Sequence, residues 1–368
     1  MVGLVATLAM LGAPIVQSAA SPASVSFEDL SKRAQQARDA ARLDEALKLY
    51  EEGLQVKPDW EEGLWNAGSI SYDRDQYQEC AKNFQRLTEI KRDLAPAWTM
   101  YGLCEYRLRF FEAALDSFRH VEQLGFQENP ELARTARLHL AIVLTKTGRF
   151  EEAIIHLTDL VRTDKKTPQI SIAAGIAGLR EPWLASEVPE NKRDLAFRLG
   201  DAMTAGMEQD FKTCIQKFQA LEADYPKEPN VHFRFGAYLM LQDSAKGIEQ
   251  INETVALDPR HVPALVGLSV IYLEQQQTDK AIRYATEAAA ASPNDFSAHV
   301  ALGRALLENN SLDKAIPELE LAVKLAPDNA EARFSLASAY SHAGRKDDAS
   351  RERDMFKRLT KLKNSEQP

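Results

Sequence analysis

The chain has 368 residues, of which 45% are apolar and 27% charged, and this balance excludes a wholly disordered protein. With only 17 Gly and 16 Pro, an architecture of many short strands is disfavoured, because such a fold needs many turn residues. The net charge of −9 disfavours a general nucleic-acid binder, since phosphate contacts need clustered Lys and Arg.

An uncharged apolar run opens the chain at residues 2–16 and is followed by small residues. This pattern predicts a secretory signal peptide at 1–20, with cleavage after Ala19 or Ala20, and a linker at 21–26. No Lys or Arg precedes the run, so the start could lie inside a longer leader. An uncleaved membrane anchor is the alternative, although a span needs about 20 apolar residues and a Gly and a Pro interrupt this run. We therefore expect an exported protein, periplasmic or secreted.

From residue 27 onward, one pattern of apolar and small residues recurs about every 34 positions. The period is clearest at Pro259, Pro293 and Pro327, which are 34 residues apart and each close a segment. Each copy predicts two helices of about a dozen residues, because apolar positions recur three and four apart. Copies start near residues 27, 61, 95, 134, 195, 229, 262, 296 and 330. The pattern predicts four units over 27–167, five over 195–363, and a tail at 364–368.

Residue size predicts how the two helices of a unit pack. Small residues of the first helix, such as Gly68 and Gly102, are predicted to face small residues of the second, such as Ala46 and Ala114. Larger residues are predicted to fill the seam between neighbouring units; they are Tyr50, Phe84, Phe118 and Phe218. A single helix pair cannot bury its apolar face alone, so the units must stack.

Residues 168–194 do not fit the repeat. Their composition predicts a short apolar helix over 170–179 and then an extended connector rich in turn residues. We interpret the insertion as structural filler packed on the array. The alternative is a hinge, or a segment of the chain that lies in its own binding groove.

The copy at 95–128 shows most clearly which family the repeat resembles. It carries Trp98, Tyr101, Gly102, Ala114 and Phe118. These positions resemble the tetratricopeptide repeat (TPR), whose pattern is W-x2-L-G-x2-Y, then A-x3-F, then P. The resemblance covers nine segments and implies an all-α fold: a right-handed superhelix (α-solenoid) of about nine helix-turn-helix repeats with one irregular insertion. It also implies that first helices line the inner face, and we expect an exported bacterial member of the family.

No motif for chemistry appears in the sequence. Nucleotide-binding, metalloprotease and nucleophile-elbow signatures are all missing, so we predict that the chain is not an enzyme and uses no cofactor or metal. The seven histidines are scattered, which favours packing or surface roles. Cys80, Cys104 and Cys214 lack metal-site spacing and favour small buried residues in helix packing; a bridge between the first two is an open alternative.

The family arrangement implies which side chains point into the concave face. These positions are mostly apolar from the third unit on, which suits a peptide or helix partner. The predicted partner groove consists of Met100, Leu103, Tyr106, Leu138, Ile142, Met203, Phe233, Met240, Val266, Val270 and Leu273. Buried filler is the alternative for this stripe. Some TPR domains grip a C-terminal carboxylate with polar groove residues, but only Asn66 matches that pattern here.

Two functions follow from this interpretation. The first is a non-catalytic scaffold that binds peptide or protein partners on the concave face of a TPR superhelix. The alternative is a structural accessory subunit of a cell-envelope or secretion assembly. Neither involves nucleic acid or a transmembrane domain beyond the leader.

Overall fold

The computed structural model describes residues 26–125, 129–163 and 166–365. The predicted signal peptide at 1–20 lies outside the described residues, as does the predicted linker except for Ser26. Over the described ranges the chain forms nineteen α-helices, one short 3-10 helix and no strand. The all-α prediction is therefore confirmed for this part of the chain.

The described residues divide into two compact units, with the boundary between Arg92 and Asp93. The helices of the first unit are α1 (Phe27–Asp39), α2 (Leu43–Val56), α3 (Glu61–Asp73) and α4 (Tyr77–Ile90). Those of the second are α5 (Ala95–Arg107), α6 (Phe111–Leu124), α7 (Pro130–Lys146), α8 (Phe150–Thr163), α9 (Pro168–Leu179), α10 (Glu190–Met207), α11 (Phe211–Asp224), α12 (Pro229–Leu239), α13 (Ser244–Leu257), α14 (Val262–Glu274), α15 (Thr278–Ala291), α16 (Phe296–Glu308), α17 (Leu312–Leu325), α18 (Ala330–His342) and α19 (Lys346–Ser365).

The turns inside the hairpins repeat as regularly as the helices. Eight hairpins are closed by three residues, and the middle residue of each turn has a positive φ. These residues are Ala41, Asp75, Arg109, Gly148, Gln209, Gln276, Asn310 and Gly344. The α12–α13 turn is different: it has four residues, 240–243, none of them with a positive φ, and it follows a helix of only eleven residues. With this ninth hairpin, the predicted repeats are all present as helix pairs.

A cluster of three aromatic rings, those of Phe27, Tyr50 and Trp60, lies at the centre of the first unit. Trp60 precedes α3 and is only 7% exposed. Its ring lies 5.1 Å from Phe27 and 5.3 Å from Tyr50. A Cβ on Gly53 or Gly63 would come within 2.7 Å or 2.2 Å of this ring, so the glycines leave the space that the indole fills. The two hairpins of this unit thus share one buried aromatic core.

Close packing within a hairpin differs in part from the prediction. A Cβ added to Gly68 would lie 2.7 Å from the ring of Phe84, and one on Gly102 would lie 3.0 Å from the ring of Phe118. Both rings are fully buried. The glycine of the first helix therefore makes room for the large residue of its own second helix, which the prediction had assigned to the seam between neighbouring units.

The insertion is part of the helical array. Nine of the twelve residues of α9 are buried, and α10 begins at Glu190, so the last five residues of the predicted 168–194 connector are helical. A Cβ on Gly175 would lie 1.7 Å from the carbonyl oxygen of Ala196, and one on Gly200 would lie 1.7 Å from that of Ser171. The backbones of α9 and α10 therefore lie in close contact, and the buried α9 agrees with the interpretation of the insertion as a helix packed on the array.

Candidate functional site

The eleven predicted groove residues separate into two classes by exposure. Leu103 and Met203 are 4% and 1% exposed, so they belong to the core and are withdrawn from the groove. The Met203 side chain is buried because it packs where α9 presents Gly178. The other nine are partly exposed: Met100, Tyr106, Leu138, Ile142, Phe233, Met240, Val266, Val270 and Leu273.

Part of this second class serves as filler. Phe233 and Met240 pack against a buried cluster of Ile251, Ala264 and Leu268. Val266 packs against two neighbouring clusters of α14 to α17. Asn66, the one residue that matched a carboxylate-gripping pattern, is 3% exposed and donates its side-chain N–H to Glu62 O at 2.9 Å. It therefore stabilises α3 and is not available to a ligand.

Three of the predicted groove residues do come together, at an apolar cavity of about 200 Å³ in the second unit. Tyr106 lines it from α5, and Leu138 and Ile142 line it from α7. The remaining apolar wall comes from the insertion and consists of Ile172, Ala173 and Ile176 on α9 with Trp183 and Ala185 after it. Sequence reasoning gave a segment lying in the groove only as the alternative for the insertion, and it did not identify the insertion as one wall of a cavity.

The helix that forms this wall is positioned by local signals. Thr167 caps its start by accepting a hydrogen bond from Ile170 N at 3.4 Å, and Pro168 occupies the first helical position. Arg180 ends it in the left-handed conformation with φ 58°. A helix that is apolar on all sides must be surrounded by other elements. The run of apolar residues broken by Gly175 and Gly178 was therefore a signal for burial that the sequence did contain.

A few polar groups also line the cavity. Thr145 is 3% exposed and donates its hydroxyl to Ala141 O at 2.9 Å, so it is already paired. His139 Nδ1 lies 2.8 Å from Thr135 O. Burial lowers the pKa of His139, so its ring is neutral at pH 7 and donates from Nδ1. In this tautomer Nε2 is a hydrogen-bond acceptor.

The segment after α9, residues 181–189, forms a strap along one edge of the cavity. Lys146 Nζ donates to Pro182 O at 2.9 Å and to Glu187 Oε2 at 2.7 Å. Arg109 donates to the other oxygen of Glu187 at 2.5 Å. Leu184 and Val188 are 8% and 3% exposed and anchor the strap by burial. The strap is thus held at both polar and apolar positions although most of it is not helical.

The pKa of Glu187 reflects this arrangement. Burial opposes ionisation of the carboxyl, but hydrogen bonds from Lys146, the backbone N–H of Leu184 and Arg109 outweigh it. Together they lower the pKa of Glu187 from 4.5 to about 2. The carboxylate is therefore charged at every physiological pH and keeps the mostly buried Lys146 paired.

A second ionic cluster fixes the far end of α9. Arg234 of α12 is 5% exposed, and its two terminal nitrogens donate to the two oxygens of Glu151 at 2.8 Å each. Arg180 donates to the same carboxylate at 2.6 Å. Burial and the nearby Arg180 charge lower the pKa of His261 to about 4, so this neighbour stays neutral. Glu151 and Arg234 are 83 residues apart, and no spacing motif predicted their contact.

Two buried histidines have structural roles, as the scattered pattern predicted. His232 bonds Gln250 Oε1 at 2.7 Å and Pro226 O at 3.0 Å. His299 bonds Glu318 Oε2 at 2.6 Å and Pro293 O at 2.9 Å. Each therefore ties the loop before its helix to the second helix of the hairpin.

Two further surveys apply only to the part of the chain that the structure describes. Within it, no group of three or more His, Cys, Asp or Glu side chains is placed to hold a metal ion. No helix within these ranges has both the length and the apolar character required to span a bilayer.

A family model supports the repeat assignment for the later part of the chain. Residues 205–363 match the family model described as the cilia and flagella-associated protein 70 middle TPR-like domain. Among solved structures, MamA 41-end from Desulfovibrio magneticus RS-1 is 20% identical over 46% of this chain and 96% of its own, with a TM-score of 0.39. Yeast Tom70 is 12% identical over 91% of this chain and 85% of its own, with a TM-score of 0.38. No curated protein sequence matches the chain.

Proposed function

We propose that the chain, whose residues 205–363 match a TPR-like family model, acts as a non-catalytic scaffold that binds a peptide segment of another protein. The binding surface in this proposal lies on the first helices of the second unit, at the cavity lined by Tyr106, Leu138 and Ile142. The mechanism is presentation of a preformed surface to the partner.

The observation that carries the proposal is the size and lining of the cavity. The cavity has a volume of about 200 Å³ and is lined mostly by apolar side chains. An engineered apolar cavity of about 150 Å³ holds benzene, so one aromatic or large aliphatic side chain of a partner matches the available volume. Burial of such a side chain contributes roughly 1.5–3 kcal/mol, enough for one anchor in a longer contact.

Filling the cavity from within tests the proposal. Ala173 lines the wall formed by α9, and Ala173→Phe places a ring in the space that a partner side chain would take. Peptides selected from a displayed random library against the wild type are then measured against this variant. We expect binding to fall at least tenfold, since loss of one apolar anchor removes roughly 1.5–3 kcal/mol.

The matched control is Ala113→Phe on α6, where the alanine is exposed to solvent. It adds the same ring without entering the cavity and should bind the selected peptides like the wild type. Thermal unfolding of both variants separates lost binding from lost folding. If the selected peptides bind Ala173→Phe as tightly as the wild type, the cavity is not the binding site and the proposal fails.

Export remains part of the proposal, together with a bacterial source. It rests on the apolar run at 2–16 and the small residues after it. Expression with a C-terminal tag, cell fractionation and N-terminal sequencing of the mature chain test it. An N-terminus at Ala20 or Ser21 in the exported fraction supports cleavage, whereas an intact leader in the membrane fraction supports the anchor.

A further inference from the structure

The strap (residues 181–189) runs along one edge of the cavity that a side chain of the peptide partner would enter. Trp183 and Ala185 border the cavity directly, and Trp183 is only partly buried. The backbone of the strap also contacts α7, because Lys146 Nζ donates a hydrogen bond to Pro182 O. A largely non-helical segment with an aromatic residue and a carboxylate four positions later thus already lies along this edge.

The charges along this edge indicate which kind of segment is able to replace the strap. The Lys146 side chain is 19% exposed, and its partner Glu187 is 25% exposed. A mostly buried ammonium left without its carboxylate is strongly destabilised. Displacement of the strap therefore becomes favourable only if the incoming segment supplies a carboxylate of its own. The nearby Arg109, whose side chain is 59% exposed, adds a second cation to the same edge.

We propose that the strap is an internal competitor, and that the partner is an extended peptide with a bulky apolar residue followed within a few positions by an acidic residue. This inference rests on the proposed peptide-binding function. It adds that the bulky residue enters the cavity while the carboxylate takes the place of Glu187 beside Lys146 and Arg109.

The experiment uses the strap sequence itself as the probe. A fluorescent synthetic peptide with the sequence of residues 181–190, EPWLASEVPE, is titrated into the full chain and into the Glu187→Gln variant. We expect the variant to bind the peptide about tenfold more tightly, the gain expected if the strap is in place about 90% of the time in the wild type and is released in the variant. A peptide with Gln at its seventh position, or Ala at its third, should lose this gain.

Glu190→Gln is the matched control, because it removes the same charge three residues away at an exposed position in the first turn of α10. It should bind the peptide like the wild type. A second measurement needs no variant: excess peptide should increase hydrogen exchange at residues 181–188 of the wild type. Equal peptide affinity of wild type and Glu187→Gln, together with unchanged exchange in the strap, would overturn the proposal.

The outcome is distinguishable from failure of the proposed function. Library peptides that lose affinity in Ala173→Phe but bind the wild type and Glu187→Gln equally would keep the cavity as a binding site and eliminate the strap as its competitor. If no selected peptide loses affinity in Ala173→Phe, the cavity is not a binding site and the proposed function fails.

Discussion

The contact between α9 and α10 makes a strong prediction about a single methyl group. Gly175→Ala would place a Cβ 1.7 Å from the carbonyl oxygen of Ala196 and 3.0 Å from the backbone nitrogen of Gly200. Ordinary contacts of this kind begin at 3.4 Å, so the two helices would have to separate by about 1.7 Å. Both obstacles are backbone atoms, which cannot turn away as a side chain can.

The expected cost is the difference between two terms. Forcing a methyl group into a packed core costs about 1–3 kcal/mol, and a backbone clash belongs at the upper end of that range. Alanine is also the better helix former, by about 1 kcal/mol relative to glycine. For Gly175→Ala we therefore expect a net loss of about 2 kcal/mol in the free energy of unfolding.

The chain offers a matched control in α14. A Cβ on Gly267 would meet nothing within 4 Å, so Gly267→Ala should gain up to about 1 kcal/mol from helix propensity alone. Denaturant unfolding by circular dichroism gives the comparison, and hydrogen exchange at α9 shows where the loss occurs, since repeat arrays need not unfold in one step. If Gly175→Ala is as stable as Gly267→Ala, the backbones of α9 and α10 do not approach each other as closely as described here.

Two further predictions follow from single contacts. Because the folded-state pKa of Glu187, about 2, lies below its ordinary value of 4.5, its stabilisation of the strap is fully present above pH 4.5 and is lost as the pH falls towards 2. Relative to the intrinsic exchange rate at each pH, the protection of the strap amides should fall across that window in the wild type and show no such fall in Glu187→Gln; a wild type that behaves like the variant would contradict the ion pair with Lys146. At His299, which is 6% exposed, substitution by Ala should cost about 2 kcal/mol, because two hydrogen bonds are lost, one to Glu318 Oε2 and one to Pro293 O. His299→Arg should cost much less, since Arg333 makes the equivalent two contacts in the next unit, and equal losses for the two variants would count against this role.

The hairpins could be predicted from the sequence because their signals are local. Helix periodicity, a turn residue and a closing proline each act on neighbours in the chain. The regular spacing of residues such as Ala41, Asp75 and Arg109 at the positive-φ turn position shows how little the rest of the molecule alters this geometry. Six of the eight positive-φ hairpin turns follow a first helix of thirteen residues, and the other two, at Gly148 and Gln209, follow longer first helices.

The candidate site could be predicted only in part. The family pattern placed Tyr106, Leu138 and Ile142 on one face, and the structure brings them to one cavity. The same pattern also included Leu103 and Met203, which are core residues. A helical stripe of apolar residues has the same appearance whether it meets solvent or another helix, so residue type alone cannot separate a groove from filler.

By itself, then, the sequence determined the repeated helix pairs and the place where the repeat is interrupted. Only the tertiary structure decided what the interruption does. The approach of α9 to α10 at Gly175, the pairing of Glu187 with Lys146 and that of Glu151 with Arg234 join residues far apart in the chain. Such contacts form only after the hairpins have stacked and depend on which of their surfaces face each other. The spacing of residues within one hairpin therefore does not predict them.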